Sequence, residues 1–210
     1  MNKTAELVRL WAAYEQAHPD ADLKDFYSEQ LLTGRKVGKA GFLAGFVPKE
    51  DASVVAKLLG RLVKLHTTYA MIALKEKEIN SFDDFTFLST ILTLDKPRKS
   101  EVINENFLEL SSGLLVIDRL KSKGLITEIE DQEDKRSKRI YLTTEGRQMI
   151  LDCHQLMDKL NKLFYQNLHE SDIKLCIEAL KPLEIKFSSL WKKQRKKNFG
   201  QIDDELSKSL

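Results

Sequence analysis

Residues 98–146 read RKSEVINENFLELSSGLLVIDRLKSKGLITEIEDQEDKRSKRIYLTTEG. The first part carries apolar residues at helical spacing, and the last part carries them at alternate positions. Ser100 is placed to cap a short helix, with Val102 and Ile103 facing inward and Asn106 at its end. A second helix is predicted over 110–123, anchored by Leu110, Leu114, Ile117 and Leu120. Gly124 sits where a left-handed residue would stop it, and Leu125 packs just beyond. Two helices joined by a short corner form a helix-turn-helix, whose second helix is narrow enough to enter a major groove. LITEIE and KRIYL then alternate on either side of the polar DQEDKRS, which predicts a two-stranded hairpin. A hairpin beside a helix-turn-helix is a wing.

Ser111 and Ser112 fall in the first turn of the second helix, from which side chains reach phosphates and base edges. Their hydroxyls suit that work, and they equally suit the plainer task of starting the helix. Gly113 weakens the helix by up to ~1 kcal/mol. It also removes a side chain from the surface, which reads as room for close approach to DNA. Lys135, Arg136, Lys138 and Arg139 lie at the hairpin tip or on its returning strand, positioned for the backbone or the minor groove. Lys99 and Leu115 complete the candidate DNA-binding set.

Working outward, residues 4–17 and 23–32 carry helical apolar spacing, separated by His18-Pro19-Asp20. GRKVGKAGFLAGFVPKED, residues 34–51, holds four glycines and reads as a linker. Its Arg35, Lys36 and Lys39 would suit a phosphate, but the glycine spacing is not that of a phosphate-binding loop. A long helix over 52–77 shows a sustained stripe, Val55, Leu58, Leu62, Leu65, Tyr69 and Ile72, expected to be buried. Ser81 caps the next helix, and Asp84 is placed to complete the capping arrangement. Thr143 caps another long helix with the stripe Met149, Cys153, Leu156, Leu160 and Leu163. The last helix contains Pro182, which is expected to kink or divide it. The long terminal helices have more apolar positions than one small lobe can cover, and a homodimer is the economical partner.

The chain is mostly α-helical with a small β-wing: an extension and linker over 1–50, a winged-helix domain over 51–195, and a polar tail over 196–210. The domain divides into a reader module, 81–143, and dimerisation helices, 52–77 and 144–195. Its 34 basic and 32 acidic residues nearly cancel. Residues 98–147 hold ten of each sign, whereas residues 181–198 hold seven basic residues and one acid. DNA attraction is therefore expected to lean on the final helix as well as the wing. No apolar run reaches 18 residues, no secretory leader is present, and Cys153 and Cys176 form neither a disulfide framework nor a metal spacing. These features predict a cytoplasmic protein without a membrane span. The four histidines are scattered, so no catalytic or zinc constellation is expected, and no cofactor. Both cysteines read as buried, which argues against a reactive thiol while leaving redox sensing open.

LKSKGLI at 120–126, followed by DQEDKRSKRIYLTTEG at 131–146, resembles the MarR family of bacterial winged-helix transcriptional regulators. The resemblance covers roughly residues 52–195. It implies a wing in which Arg136 enters the minor groove and Asp134 supports the wing, a recognition helix contacting DNA from Ser111 and Ser112, and dimerisation through the first and last helices. It also implies a small-molecule effector at the junction of the dimer helices and the lobe. The chain departs from the family at the helix corner, where Asn106 and Phe107 replace a small residue. It departs again at Leu114 and Leu115, where Thr and Arg are common, and at Thr127 and Glu128, where arginines are usual. The expected function is a dimeric, sequence-specific regulator bound to palindromic double-stranded DNA. The alternative is a winged-helix protein-interaction module.

Overall fold

A computed structural model describes residues 2–33, 42–131 and 138–207. In chain order the helices are α1 (Lys3–Ala17), α2 (Leu23–Thr33), α3 (Asp51–Lys75), α4 (Phe82–Leu94), α5 (Lys99–Glu105) and α6 (Leu110–Ser122). Strands β1 (Ile126–Glu130) and β2 (Lys138–Leu142) follow, then α7 (Thr144–Tyr165), α8 (Glu170–Gln194) and α9 (Phe199–Ser207). The strands pair antiparallel, with Glu128 opposite Ile140 and Glu130 opposite Lys138. The chain forms two compact units divided inside α3, between residues 59 and 60.

The larger unit is built on one apolar core. Phe87, Leu88 and Ile91 of α4 meet Val102 and Ile103 of α5, Val116, Ile117 and Leu120 of α6, Ile126 and Ile140 of the hairpin, and Ile150 and Cys153 of α7. Two glycines make this packing possible. A Cβ on Gly113 would lie 2.5 Å from the Ile103 side chain, so α5 and α6 cross at van der Waals distance only because position 113 is bare. Gly113 is buried against the neighbouring helix, not aimed at DNA, which corrects the groove-approach expectation. A Cβ on Gly146 would meet the Leu125 carbonyl oxygen at 1.9 Å. Beside it, Thr143 Oγ1 accepts from the Gly146 N–H and donates to the Gly124 carbonyl at 2.7 Å. Gly124 itself has φ +71°, the left-handed stop expected there. The LTTEG and KGL motifs are thus two halves of one joint.

Other local expectations are revised. Arg98, not Ser100, is the N-cap residue of α5, and its N–H donates to Glu101 Oε2. Ser81 does cap α4, but the Asp84 side chain turns to Arg119 instead of back to the cap. On α7 the expected stripe holds at Cys153, which is buried, and at Met149, Leu156 and Leu160, which pack half-buried against the core; Gly146, Ile150 and Met157 are buried beside them, and Leu163 is exposed. The α3 stripe at Val55, Leu62, Leu65, Tyr69 and Ile72 is exposed in the single chain, as are Ile173, Ile177, Leu180, Leu183 and Phe187 on α8. Cys176 is exposed for the same reason: the lobe does not cover that part of α8. Pro182 does not divide α8, since the partner it lacks, the Glu178 carbonyl, lies on an exposed turn that water reaches. The expected polar tail contains α9, whose Glu205 takes Lys197 and Gln194 from the preceding segment.

The smaller unit holds an aromatic cluster. Phe26 is buried between Trp11, at 5.3 Å between ring centroids, and Tyr14, at 5.4 Å. Asp22 caps α2 by accepting from the N–H groups of Lys24 and Asp25. Lys57 donates to the Phe46 carbonyl and stands over its ring. The linker reading of residues 34–41 falls outside the described residues.

Candidate nucleic-acid interface

α6 is amphipathic in a way that suits a reading helix. Val116, Ile117 and Leu120 point into the core, while Ser111, Ser112, Leu115 and Asp118 face solvent. Leu115 is 68% exposed and Leu110 58% exposed. Glu109 is the N-cap residue but supplies no side-chain cap. The first N–H groups of the helix therefore lack intrahelical partners beside two serine hydroxyls. Against an anion stand the carboxylates of Glu109 and Asp118, so the outward face of α6 is polar and apolar rather than cationic.

The lower end of α6 is fixed to α4 by a buried ion pair. Asp84 is 0% exposed. Arg119 donates to its Oδ1 from Nε at 2.8 Å and from Nη2 at 2.6 Å, and Nη2 also reaches Ser81 Oγ at 3.0 Å. Asp84 Oδ2 has no hydrogen bond among the described residues, with Lys123 Nζ 3.9 Å away. Burial of the carboxylate reduces the solvent competition that weakens a surface pair, and the pair ties α6 to the start of α4.

Two further carboxylates organise the cations at the base of the wing. Asp131, almost fully buried, accepts from Arg98 Nε at 2.7 Å and forms an ion pair with Arg139 Nε at 3.2 Å. Arg98 and Arg139 also form a backbone bridge, and the Ile140 N–H donates to the Pro97 carbonyl. The segment before α5 is thereby stitched to β2. Glu128 gathers Lys99 at 2.7 Å, Lys121 at 3.2 Å and Lys138 at 3.4 Å. Lys99 foremost, then Lys121, hold its carboxyl down to about 2 against the opposing effect of burial.

Of the expected contacts, Lys99 and Lys138 are thus brought together, and Ser111, Ser112 and Leu115 share the exposed face of α6. Asp134, Lys135 and Arg136 lie outside the described residues. Sequence reading missed Asp84, Arg119, Glu128 and Asp131 as organising groups. The available signal was acids at positions where strands and helices turn inward. The basic run after Trp191 is also partly committed within the chain. Lys192 pairs with Glu105 at 3.4 Å, Arg195 donates to Asn104 at 2.9 Å, and Trp191 meets Phe107 edge to face. These contacts dock the end of α8 on α5 and the helix corner.

Cys153 is buried, and burial pushes its thiol up to about 11, with Lys77 opposing and Asp152 adding. The thiolate needed for facile oxidation is scarce at such a site. Among the described residues, no group of three or more His, Cys, Asp or Glu is arranged to hold a metal, and no helix is long and apolar enough to cross a membrane.

A helix-turn-helix locked to a two-stranded wing, followed by a long helix, defines a winged helix-turn-helix. The chain has the MarR-type form of that fold. A mutant MarR from E. coli complexed with operator DNA is 23% identical, with a TM-score of 0.58 over 61% of this chain and 92% of that one. The transcriptional regulator SlyA is 20% identical, with a TM-score of 0.60 over 66% and 96%. CouR from Rhodococcus jostii, bound to p-coumaroyl-CoA, is 18% identical, with a TM-score of 0.57 over 65% and 95%. No protein-family model matches the chain.

Proposed function

We propose that this protein is a homodimeric, sequence-specific DNA-binding transcriptional regulator. The observation that carries the reading is the outward face of α6: a helix held firmly to its lobe, presenting Ser111, Ser112 and Leu115 to solvent beside a wing. A protein of the same fold binds operator DNA. Hydroxyls at the first turn suit phosphate or base-edge contact, and an exposed leucine suits the methyl group of thymine. Arg136 supplies the minor-groove contact, with Asp134 as support. The exposed stripes of α3 and α8 supply the dimer seam, because a monomer leaving so many large apolar side chains in water is unfavourable. Two reading helices about one helical turn apart (~34 Å) then require a palindromic site.

A small-molecule effector belongs to the same reading, since a ligand that prefers one dimer geometry shifts the spacing of the reading helices. CouR of the same fold holds an acyl-CoA.

The second reading is a protein-interaction module. It is favoured by the internal pairing of Lys99, Lys121 and Lys138 with Glu128, and by the exposed Leu110 and Leu115 on a helix that carries no arginine on its outward face. A gel-shift assay on genomic fragments separates the two. Specific, salt-sensitive complexes support the regulator, and a protein bound across the Ser111–Ser112 face without competition from DNA supports the module.

A further inference from the structure

Glu128 is the meeting point of three elements. Lys99 comes from the first turn of α5, Lys121 from the last turn of α6 and Lys138 from the start of β2. One carboxylate balances one of the three ammonium charges, so the cluster keeps a formal charge of +2, with Glu130 across the ladder from Lys138 as a further acid. The carboxylate is covered, its side chain only 9% exposed, whereas the lysines are 28%, 49% and 59% exposed. An anion arriving from solvent therefore meets the ammonium groups before the carboxylate. Three flexible point charges around one oxyanion have the chemistry of a phosphate site, with a protein carboxylate in the phosphate's place.

We propose that Lys99, Lys121 and Lys138 form a seat for a nucleic-acid backbone phosphate, closed in the DNA-free chain by Glu128, so that Glu128 limits the affinity of the protein for DNA from within. The proposal rests on the DNA-binding reading above. On association the ammonium groups lean from the carboxylate to the phosphate, and each contact so made releases a counterion from the DNA. The Glu128 charge remains behind them, opposes the phosphate and is never lost by titration near neutral pH. This gives the module's formal neutrality a use: the cations are gathered and ordered, but their field is held down until a phosphate competes for them. It also assigns Lys121, near the far end of the reading helix, a contact that the serines at its start do not need.

The test measures binding of the full chain to a mixed-sequence duplex of about two helical turns. Anisotropy is read between about 50 and about 200 mM salt, for the wild type and for Glu128→Gln, Lys121→Gln and Lys138→Gln, with a thermal melt of each. Glu128→Gln is expected to bind roughly three- to tenfold more tightly, with a steeper salt dependence. Each lysine variant is expected to bind more weakly, with a salt slope shallower by about one. If the wild type binds with a salt slope but folded Glu128→Gln binds equally or more weakly, the carboxylate is only a structural counterion and the proposal is overturned, while the DNA reading stands. Should Glu128→Gln fail to fold, the lysine variants decide, and unchanged slopes overturn the seat. A wild type that binds no duplex even at low salt removes the DNA reading and the seat with it.

Discussion

Gly113 and Gly146 show how a residue without a side chain can be the most constrained in its neighbourhood. At Gly113 the obstacle is the Ile103 side chain, with three of its carbons within 3 Å of the added methyl, so that a side chain must move; at Gly146 it is the Leu125 carbonyl, so that backbone must move. Gly113→Ala is expected to lose about 1–3 kcal/mol to overpacking, offset in part by up to ~1 kcal/mol of helix propensity. Gly146→Ala is expected to lose roughly 3 kcal/mol or more. Chemical denaturation of both variants measures the difference, and equal stability would mean that the joint between α7 and Leu125 is slack. Glu128 gives a pH signature. Its carboxyl titrates near 4.5 when free of partners and is held down to about 2 in the fold. A depressed folded value stabilises fully above about pH 4.5, and that contribution disappears as the pH falls to about 2. The stability gap between wild type and Glu128→Gln should therefore be flat at neutral pH and close across that interval; a gap independent of pH would show that the lysines do not hold the carboxyl.

At the scale of elements, the Asp84–Arg119 pair couples α4 to α6. Breaking it with Arg119→Ala leaves the buried carboxylate with only the longer Lys123 contact, and a loss of roughly 3 kcal/mol is expected, near the low end for buried pairs because Lys123 remains and Arg119 keeps some access to water. The double variant Asp84→Asn, Arg119→Ala should recover part of that loss in a thermodynamic cycle; strict additivity would contradict direct coupling. Much of this layer was legible in the sequence. Gly124 and Thr143 announce a helix end and a helix start, the alternation around DQEDKRS announces the hairpin, and LKSKGLI with the LTTEG run identifies the architecture. The pairings were not legible, because Asp84 and Arg119 are 35 residues apart, and a carboxylate reads the same in sequence whether it caps a helix or crosses to another. Gly113 was misread for a similar reason: a bare position looks alike whether it faces DNA or Ile103.

For the whole molecule, the apolar excess on α3 and α8 is the main unmet demand. Sequence periodicity located the α3 stripe but expected it to be buried; whether the same chain or a second copy covers such a stripe is not written in its spacing. In the single chain Ile177 and Leu180 lie exposed one turn apart on α8. Ile177→Asp with Leu180→Asp would place two unpaired charges in the proposed dimer seam, and dimer dissociation is expected to rise at least about a hundredfold. Sedimentation measures this, and an unchanged dimer would move the seam elsewhere. The central claim, that two such lobes together read a palindrome, is tested most directly by the affinity for a site selected from random duplexes and for the same site shuffled, with wild type and Arg136→Ala. The wild type should prefer the selected palindrome by roughly a thousandfold or more, and Arg136→Ala should lose about ten- to a hundredfold on it. Equal affinity for selected and shuffled duplexes, unaffected by Arg136→Ala, would contradict the account.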